Sequence, residues 1–346
     1  MLQSPAVSLL AWYDEIKRDL PWRRTHDPYA IWLSEIMLQQ TRVETVKGYY
    51  ARFLTLFPTI AHLAAAPQEQ VLKAWEGLGY YSRARNLQKA AQVMVKEYGG
   101  AFPRTYEEIL ALPGIGPYTA GAIGSIAFGL PVPAVDGNVY RVASRFFGIR
   151  EDVSIPRVQK EIRQRVQSCM PEARPGDYNQ ALMELGATLC SPGTPNCQDC
   201  PWHTSCDACL EGDADLLPVH EKKRPPKQVE VAVCLITHGK RMLVSQRSQR
   251  MLNGLYVFWL IEDFTDPDAV TELLAESGLA CRFVDHLGHA RHVFTHRIWE
   301  MELLHFEAEQ EINLPDSKWV ERDELNALPF PSAMKAAREA ACNLLI

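Results

Sequence analysis

Residues 112–122, LPGIGPYTAGA, constrain what this chain can fold into more than any other stretch. The run TYEEILA before them has apolar positions at helical spacing, Pro113 ends that run, and Gly114 and Gly116 permit backbone conformations that a Cβ resists. Pro117 suits the first turn of a second helix. The segment therefore reads as helix, tight turn, helix. Backbone N–H groups in such a turn and at the following helix N-terminus can approach an anion closely, and a phosphodiester is the obvious one. An ordinary helix-helix turn has the same pattern, so the surroundings must decide.

Four of the nine cysteines stand at C-x6-C-x2-C-x5-C: Cys190, Cys197, Cys200 and Cys206. No basic leader precedes the short apolar patch at the N-terminus, so a secreted disulfide framework is not expected and the ladder reads as a metal centre. Four thiolates suit zinc, but the paired spacing of zinc ribbons is missing and a 4Fe-4S cluster fits better. Cys209 makes a second C-x2-C with Cys206 and is an alternative last ligand. Cys169, Cys234, Cys281 and Cys342 lie among apolar neighbours and read as inert thiols.

The 346 residues, 47% hydrophobic and 23% charged, are enough for two domains and a sizeable core. A net charge of −6 argues by itself against a nucleic-acid partner. Residues 79–150 nevertheless carry 8 basic against 4 acidic side chains, so the surface round the glycine turn can be positive. No apolar run reaches membrane-spanning length, so no membrane partner is expected and the cytoplasm is the expected location.

Two carboxylates stand out. Asp27 and Pro28 start a helix through IWLSEIMLQQ that is apolar nearly all round, and Glu35 sits in its middle with no basic residue one turn away. Either Glu35 is a buried acid whose pKa burial raises, or it lies on a narrow solvated stripe beside Ser34. Asp136 falls at a helix start in VDGNVYRVASRF, where it caps the helix and the N-terminal dipole favours its ionised form. A neutral Glu35 and a charged Asp136 would make an acid and a stabiliser, the pattern of glycosyl chemistry. QQTRVETVKGYYARFLTLFP and PQEQVLKAWEGL read as further helices, and residues 79–86 as a turn mixing tyrosines with arginines, suited to base stacking and phosphate contact or to plain packing.

Helical periodicity holds through residue 215. Residues 216–228 read as a linker, proline-rich with Lys222, Lys223 and Arg224 in a row. Residues 229–346 read as a small α/β domain, with strand-like runs VEVAVCLIT, RMLVSQ, LYVFWLI, HVFTHRIWEMELLHFEA and KWVERDEL, and helices at DAVTELLAES and from Ser332.

The motifs LPWR, WLSEIMLQQT, EGLGYYSRARNL, LPGIGPYTAGAI, VDGNV and the cysteine ladder, in this order, resemble the MutY-type adenine DNA glycosylases, a family of the helix-hairpin-helix superfamily. The resemblance covers nearly the whole chain. It implies an all-α helix-hairpin-helix glycosylase domain with a 4Fe-4S cluster on the four cysteines, followed by an α/β Nudix-like domain. The implied reaction is excision of adenine mispaired with 8-oxoguanine or guanine in double-stranded DNA, by a monomer working in the bacterial cytoplasm on the nucleoid. Glu35 would protonate the imidazole ring of the adenine, and Asp136 would stabilise or capture the oxocarbenium ion, supported by Tyr118 and Asn138. Leu20, Trp22, Arg23 and Glu184 would line the adenine pocket. Gln40, Thr41, Val43 and Tyr80 would face the damaged guanine or its stack, with Gly114 and Gly116 at the DNA backbone.

In the C-terminal domain, Phe294, Thr295 and His296 match the family's Phe-Ser-His loop for 8-oxoguanine, with Thr replacing Ser. Residues 271–278, TELLAESG, lack the arginine and one glutamate of a Nudix hydrolase, so pyrophosphate hydrolysis is not expected. Two rival readings are an endonuclease III-like glycosylase with lyase activity, for which a lysine is wanted where Tyr118 stands, and a non-catalytic DNA-binding iron-sulfur module, which has no use for Glu35.

Overall fold

The computed structural model describes residues 4–221, 225–249 and 251–345, so the basic run Lys222, Lys223 and Arg224 of the expected linker lies outside the described residues. The chain divides into two compact units, Met1–Ala65 with Asn86–Lys222, and Ala66–Arg85 with Lys223–Ile346. Among the described residues no helix is long and apolar enough to cross a membrane.

The first unit is helical, as expected. Its elements are α1 (Pro5–Ile16), α2 (Pro28–Leu38), α3 (Val43–Leu56) and α4 (Ile60–Ala65), then, beyond α5 (Gln68–Ala74) of the second unit and α6 (Ser82–Tyr98), in which the division falls, α7 (Tyr106–Ala111), α8 (Pro117–Phe128), α9 (Gly137–Phe146), α10 (Pro156–Ser168), α11 (Pro175–Thr188) and α12 (Asp207–Glu211). Asp27 caps α2 by accepting from the Tyr29 N–H at 3.1 Å. The helix is apolar on every side because it is buried on every side, from Tyr29 to Met37. A second layer packs Leu9 and Tyr13 of α1, Val139 and Val142 of α9, Ile162 of α10 and Tyr178, Leu182 and Leu185 of α11 into one core. Each such side chain contributes roughly 1.5–3 kcal/mol of burial. Gly186 lets α11 touch the first turn of α9, since a Cβ there would lie 2.7 Å from Asn138 Cβ.

One helix starts later than its sequence pattern predicts. The apolar pattern of QQTRVETV runs from Gln39, but Gln40 has φ +58° and the helix begins at Val43, so Gln39–Arg42 form the α2–α3 turn.

The second unit holds β1 (Lys227–His238), β2 (Arg241–Gln246), β3 (Tyr256–Val257), β4 (Trp259–Glu262), α13 (Pro267–Glu276), β5 (Cys281–Val293), β6 (Arg297–Ala308), β7 (Ser317–Val320), α14 (Arg322–Ala327) and α15 (Lys335–Leu344). The sheet order is β3-β2-β1-β6-β5, with β4 also on β1 and β7 also on β2. β1 runs parallel to β6, in register from Lys227 opposite Arg297 to Thr237 opposite Glu307, while the other pairs are antiparallel. Val231, Val233 and Leu235 face one core with Met301, Leu303 and Ala337 of α15, whereas Ala232, Cys234 and Ile236 face the other with Leu304 and Val270 and Leu274 of α13. Burial on both faces explains the nearly unbroken apolar run VEVAVCLIT.

Two sequence readings are corrected here. Ala66–Arg85, read as part of the helical domain, clusters with the C-terminal unit. Its polar groups find their partners there: Lys73 Nζ donates to the carbonyls of Asn326 and Leu328 at 2.9 and 3.0 Å, the Tyr81 hydroxyl to that of Phe330 at 3.2 Å, and Arg338 pairs with Glu76 at 2.8 Å. HVFTHRIW is not one strand either. The Phe294 N–H donates to the Arg297 carbonyl at 2.8 Å, so Phe294–His296 are the turn joining β5 to β6.

Candidate active site

Helices α2, α8, α9 and α11 bring four polar side chains together. Glu35, in the next-to-last turn of α2, is 6% exposed, so it is a buried acid and not a member of a solvated stripe. The Tyr118 hydroxyl, from the first turn of α8, donates to Glu35 Oε2 at 2.5 Å and lies 3.3 Å from Met183 Sδ of α11. Burial pushes Glu35 up to about 7, with the Asp136 charge acting in the same direction and the Tyr118 bond and Arg23 opposing it.

Asp136 caps α9, its Oδ1 accepting from the Val139 N–H at 2.8 Å and its Oδ2 from Asn138 Nδ2 at 3.0 Å. The expectation that a helix start holds Asp136 below its ordinary pKa is corrected. Burial outweighs the N–H groups, Asn138 and Arg141, and the carboxyl is raised. Glu35 and Asp136 thus differ in the number of hydrogen bonds that resist burial, not in the direction of the shift.

Asn138 is itself held. Arg141 Nη2 donates to Asn138 Oδ1 at 2.9 Å and to the Gly186 carbonyl at 2.7 Å, and its Nε to the Cys190 carbonyl at 2.8 Å. One turn on, the buried Arg145 donates to the carbonyls of Ser191, Gly193 and Leu217 and reaches Cys190 Sγ at 3.3 Å. Sequence reasoning missed both arginines: apart from Asn138, three positions from Arg141, their partners lie 45 or more positions away.

Cys190, Cys197, Cys200 and Cys206 line one small cavity with Arg145, and Cys209 lines it too. Burial pushes the thiols of Cys200 and Cys206 up to about 12 and about 11, so they become thiolates only beside a strong positive charge such as a metal's. Among the described residues, no three of the cysteine sulfurs lie within 4.8 Å of one another. The buried Arg145 guanidinium stands beside one of these sulfurs.

Glu184 of α11 has a fully buried side chain clamped by two arginines: Arg18 Nε and Nη2 donate at 2.6 and 2.8 Å, and Arg23 Nη2 at 2.7 Å. Burial would raise its pKa, but the bonds from Arg18 and Arg23 win and hold it at about 2. Arg18 is a further residue that sequence reasoning passed over. Leu20 and Trp22 are buried beside this clamp in sequence, with Trp22 edge-on to Tyr50 at 5.5 Å.

The hairpin between α7 and α8 forms as read, with a Thr105–Glu108 capping box starting α7. Gly114 has φ +76°, and a Cβ on it would meet Asn86 Cβ at 2.5 Å. Gly116 differs from expectation: its backbone is extended (φ −103°, ψ 178°) and nothing lies within 4 Å of where a Cβ would stand. Gln40, Thr41 and Val43 sit at the α2–α3 turn of the first unit.

Tyr80 belongs to the second unit, where it is exposed and places its hydroxyl 3.3 Å from that of Thr295. These two, with Phe294, His296, Arg85 and Arg247, line a cleft of about 1080 Å³. Phe294 is fixed edge-on against His292 and Trp299, with ring centroids 4.5 and 4.9 Å apart.

Comparison with known proteins agrees with this architecture. Residues 33–168 match the profile of the HhH-GPD superfamily base excision DNA repair proteins, and residues 231–340 that of the NUDIX domain. The adenine DNA glycosylase of Homo sapiens is 36% identical over 95% of this chain and 72% of its own length, and that of Rattus norvegicus 36% identical over 95% and 76%. The structure of a thermostable thymine-DNA glycosylase covers 60% of this chain and 95% of its own at a TM-score of 0.56, with 31% identity. With both of its domains matched in order and with such identity along nearly its whole length, the chain belongs to the adenine DNA glycosylase family.

Proposed function

We propose that this protein removes adenine mispaired with 8-oxoguanine or guanine, flipping it from duplex DNA and hydrolysing its N-glycosidic bond, as a monomer acting on nucleoid DNA in the cytoplasm. The observation that carries the reading is the pairing of a buried Glu35 raised to about 7 with a hydrogen-bonded Asp136 close enough to influence it.

Tyr118 occupies Glu35 Oε2, which leaves Oε1 to hold the acidic proton. In the proposed reaction that proton passes to the imidazole-ring nitrogen of the flipped adenine, the bond from C1′ to the base breaks, and its electron pair leaves with the base. The sugar becomes cationic as the bond breaks. Asp136, fixed by Val139 and Asn138, faces that charge as carboxylate and stabilises or captures it. Water then bonds to C1′ and gives its proton to the Glu35 carboxylate, restoring the enzyme; where Asp136 has captured the sugar, the C1′–carboxylate bond breaks in this step and its electron pair returns to Asp136. Leu20, Trp22, Arg23 and Glu184 would line the base pocket, the arginine clamp keeping Glu184 ionised as an acceptor.

Gly116, with open space beside its Cα, suits close approach of a DNA phosphate to the hairpin, and Gly114 shapes the turn that allows it. Gln40, Thr41, Val43 and Tyr80 would meet the opposite base, and the cleft at Phe294, Thr295 and His296 would read 8-oxoguanine. Cys190, Cys197, Cys200 and Cys206 would hold a 4Fe-4S cluster, whose metal-thiolate bonds would cross-link the loop that Arg141 and Arg145 tie to α9.

The test is a labelled duplex with adenine opposite 8-oxoguanine, treated with full-length protein and then alkali. Strand cleavage at the adenine is expected. An intact strand, or cleavage without alkali at a damaged pyrimidine, would overturn the reading.

A further inference from the structure

Two histidines and a glutamate, none of them assigned a role above, converge on the β5–β6 hairpin of the second unit. His286 Nε2 is hydrogen-bonded to Glu302 Oε2, and His289 Nδ1 lies 2.6 Å from Glu302 Oε1. The two imidazole centroids are 4.9 Å apart.

This grouping is not what a regular strand gives. Side chains alternate along a strand, so residues three apart point to opposite faces. Between His286 and Gly288, however, β5 advances two residues while β6 advances one, from Leu304 to Leu303, and Gly288 takes φ +122°. The extra residue, Leu287, forms a β-bulge that restores the parity. His286 pairs with Leu304 and His289 with Glu302, and those two, two apart on β6, share a face. The bulge therefore puts both rings over one carboxylate. The neighbouring Glu300 is already neutralised by Arg291 at 2.8 Å, which leaves Glu302 to the imidazoles.

We propose that His286, His289 and Glu302 form a binding site for a first-row divalent transition ion, zinc above all. The three ligand atoms lie within 4.8 Å of one another, and the two rings and the carboxylate are a nitrogen and oxygen donor set that suits such ions. His286 and His289 are exposed, so an ion can enter from solvent and keep a fourth position for water. The bound ion would pin β5 to β6 a few residues before the Phe294–His296 turn. The site rests on no part of the proposed repair reaction.

The experiment is titration of full-length, iron-loaded protein with Zn²⁺ alone by calorimetry. One equivalent should bind in the micromolar range and be lost in the double variant His286→Gln, His289→Gln, with iron content and adenine excision unchanged. Glu302→Gln should weaken binding by about tenfold or more. A dissociation constant weaker than about 1 mM, or equal uptake by the double variant, would show that the imidazoles only share hydrogen bonds with Glu302.

Discussion

Arg141 holds Asn138 by its side-chain oxygen while Asn138 holds Asp136 by its amide, so the carboxylate at the start of α9 is positioned from the far side of its own first turn. The same guanidinium ties down the Cys190 carbonyl. Arg141→Met leaves the Asn138, Gly186 and Cys190 acceptors unpaired, at about 1–3 kcal/mol for each buried group. The variant should melt lower and lose both excision rate and iron together. Unchanged melting and unchanged rate would mean that the chain from cysteine loop to Asp136 has no energetic content.

Glu35→Gln keeps the shape of the side chain and a partner for Tyr118 but has no acidic proton. Single-turnover excision should fall by about a hundredfold or more, with melting temperature, iron content and duplex binding retained. If most of the rate survives, α2 does not supply the acid.

The pH profile follows from the two carboxyls. Glu35 acts protonated, so the rate should fall as pH rises through about 7. Asp136 acts ionised and is also raised, so the rate should fall again on the acid side, at a pH above the ordinary aspartate range. Tyr118 donates to Glu35 and so favours its carboxylate form. Tyr118→Phe removes that bond, raises Glu35 further and should move the basic limb to higher pH. A basic limb that stays in place would break the link between this pair and the titration.

The two hairpin glycines should separate stability from binding. Gly114→Ala forces a Cβ into left-handed backbone and against Asn86, so the melting temperature should fall, with strain of order 1–3 kcal/mol. Gly116→Ala meets nothing within the chain and should melt as the wild type does, yet bind duplex DNA several-fold more weakly. Equal binding by Gly116→Ala would remove the hairpin from the DNA contact.

Purified without oxygen, the protein should be yellow-brown and contain about four irons per chain. Cys200→Ser and Cys206→Ser should lose iron and colour, whereas Cys209→Ser should keep both. The opposite pattern for the Cys206 and Cys209 variants would exchange the fourth ligand, since both sulfurs line the cavity.

Local rules carried much of the reading. The Asp27 cap, Pro28 and the all-round apolar pattern locate α2, whereas the absence of a base one turn from Glu35 left burial and a solvated stripe both open until the packing round the helix decided for burial. What a local pattern cannot hold is a partner from another element: Tyr118 reaches Glu35 across 83 positions and Arg18 reaches Glu184 across 166. Strand β5 escaped notice for a different reason. Its exposure alternates at both ends, but register shifts at Phe283/Asp285 and His286/Gly288 break the two-residue period between them and leave Val284, Asp285 and His286 exposed in a row.

The inclusion of residues 66–85 in the C-terminal unit changes what can be exchanged between relatives. A chimera that grafts a foreign sequence from residue 225 onward would keep Lys73, Glu76 and Tyr81 while replacing the Asn326, Leu328, Phe330 and Arg338 they are bonded to. Inheritance by contiguous crossover splits this unit. A working transplant has to carry two separate pieces of the donor chain, and natural recombination at the obvious boundary should be selected against wherever the donor's short helical insert has drifted.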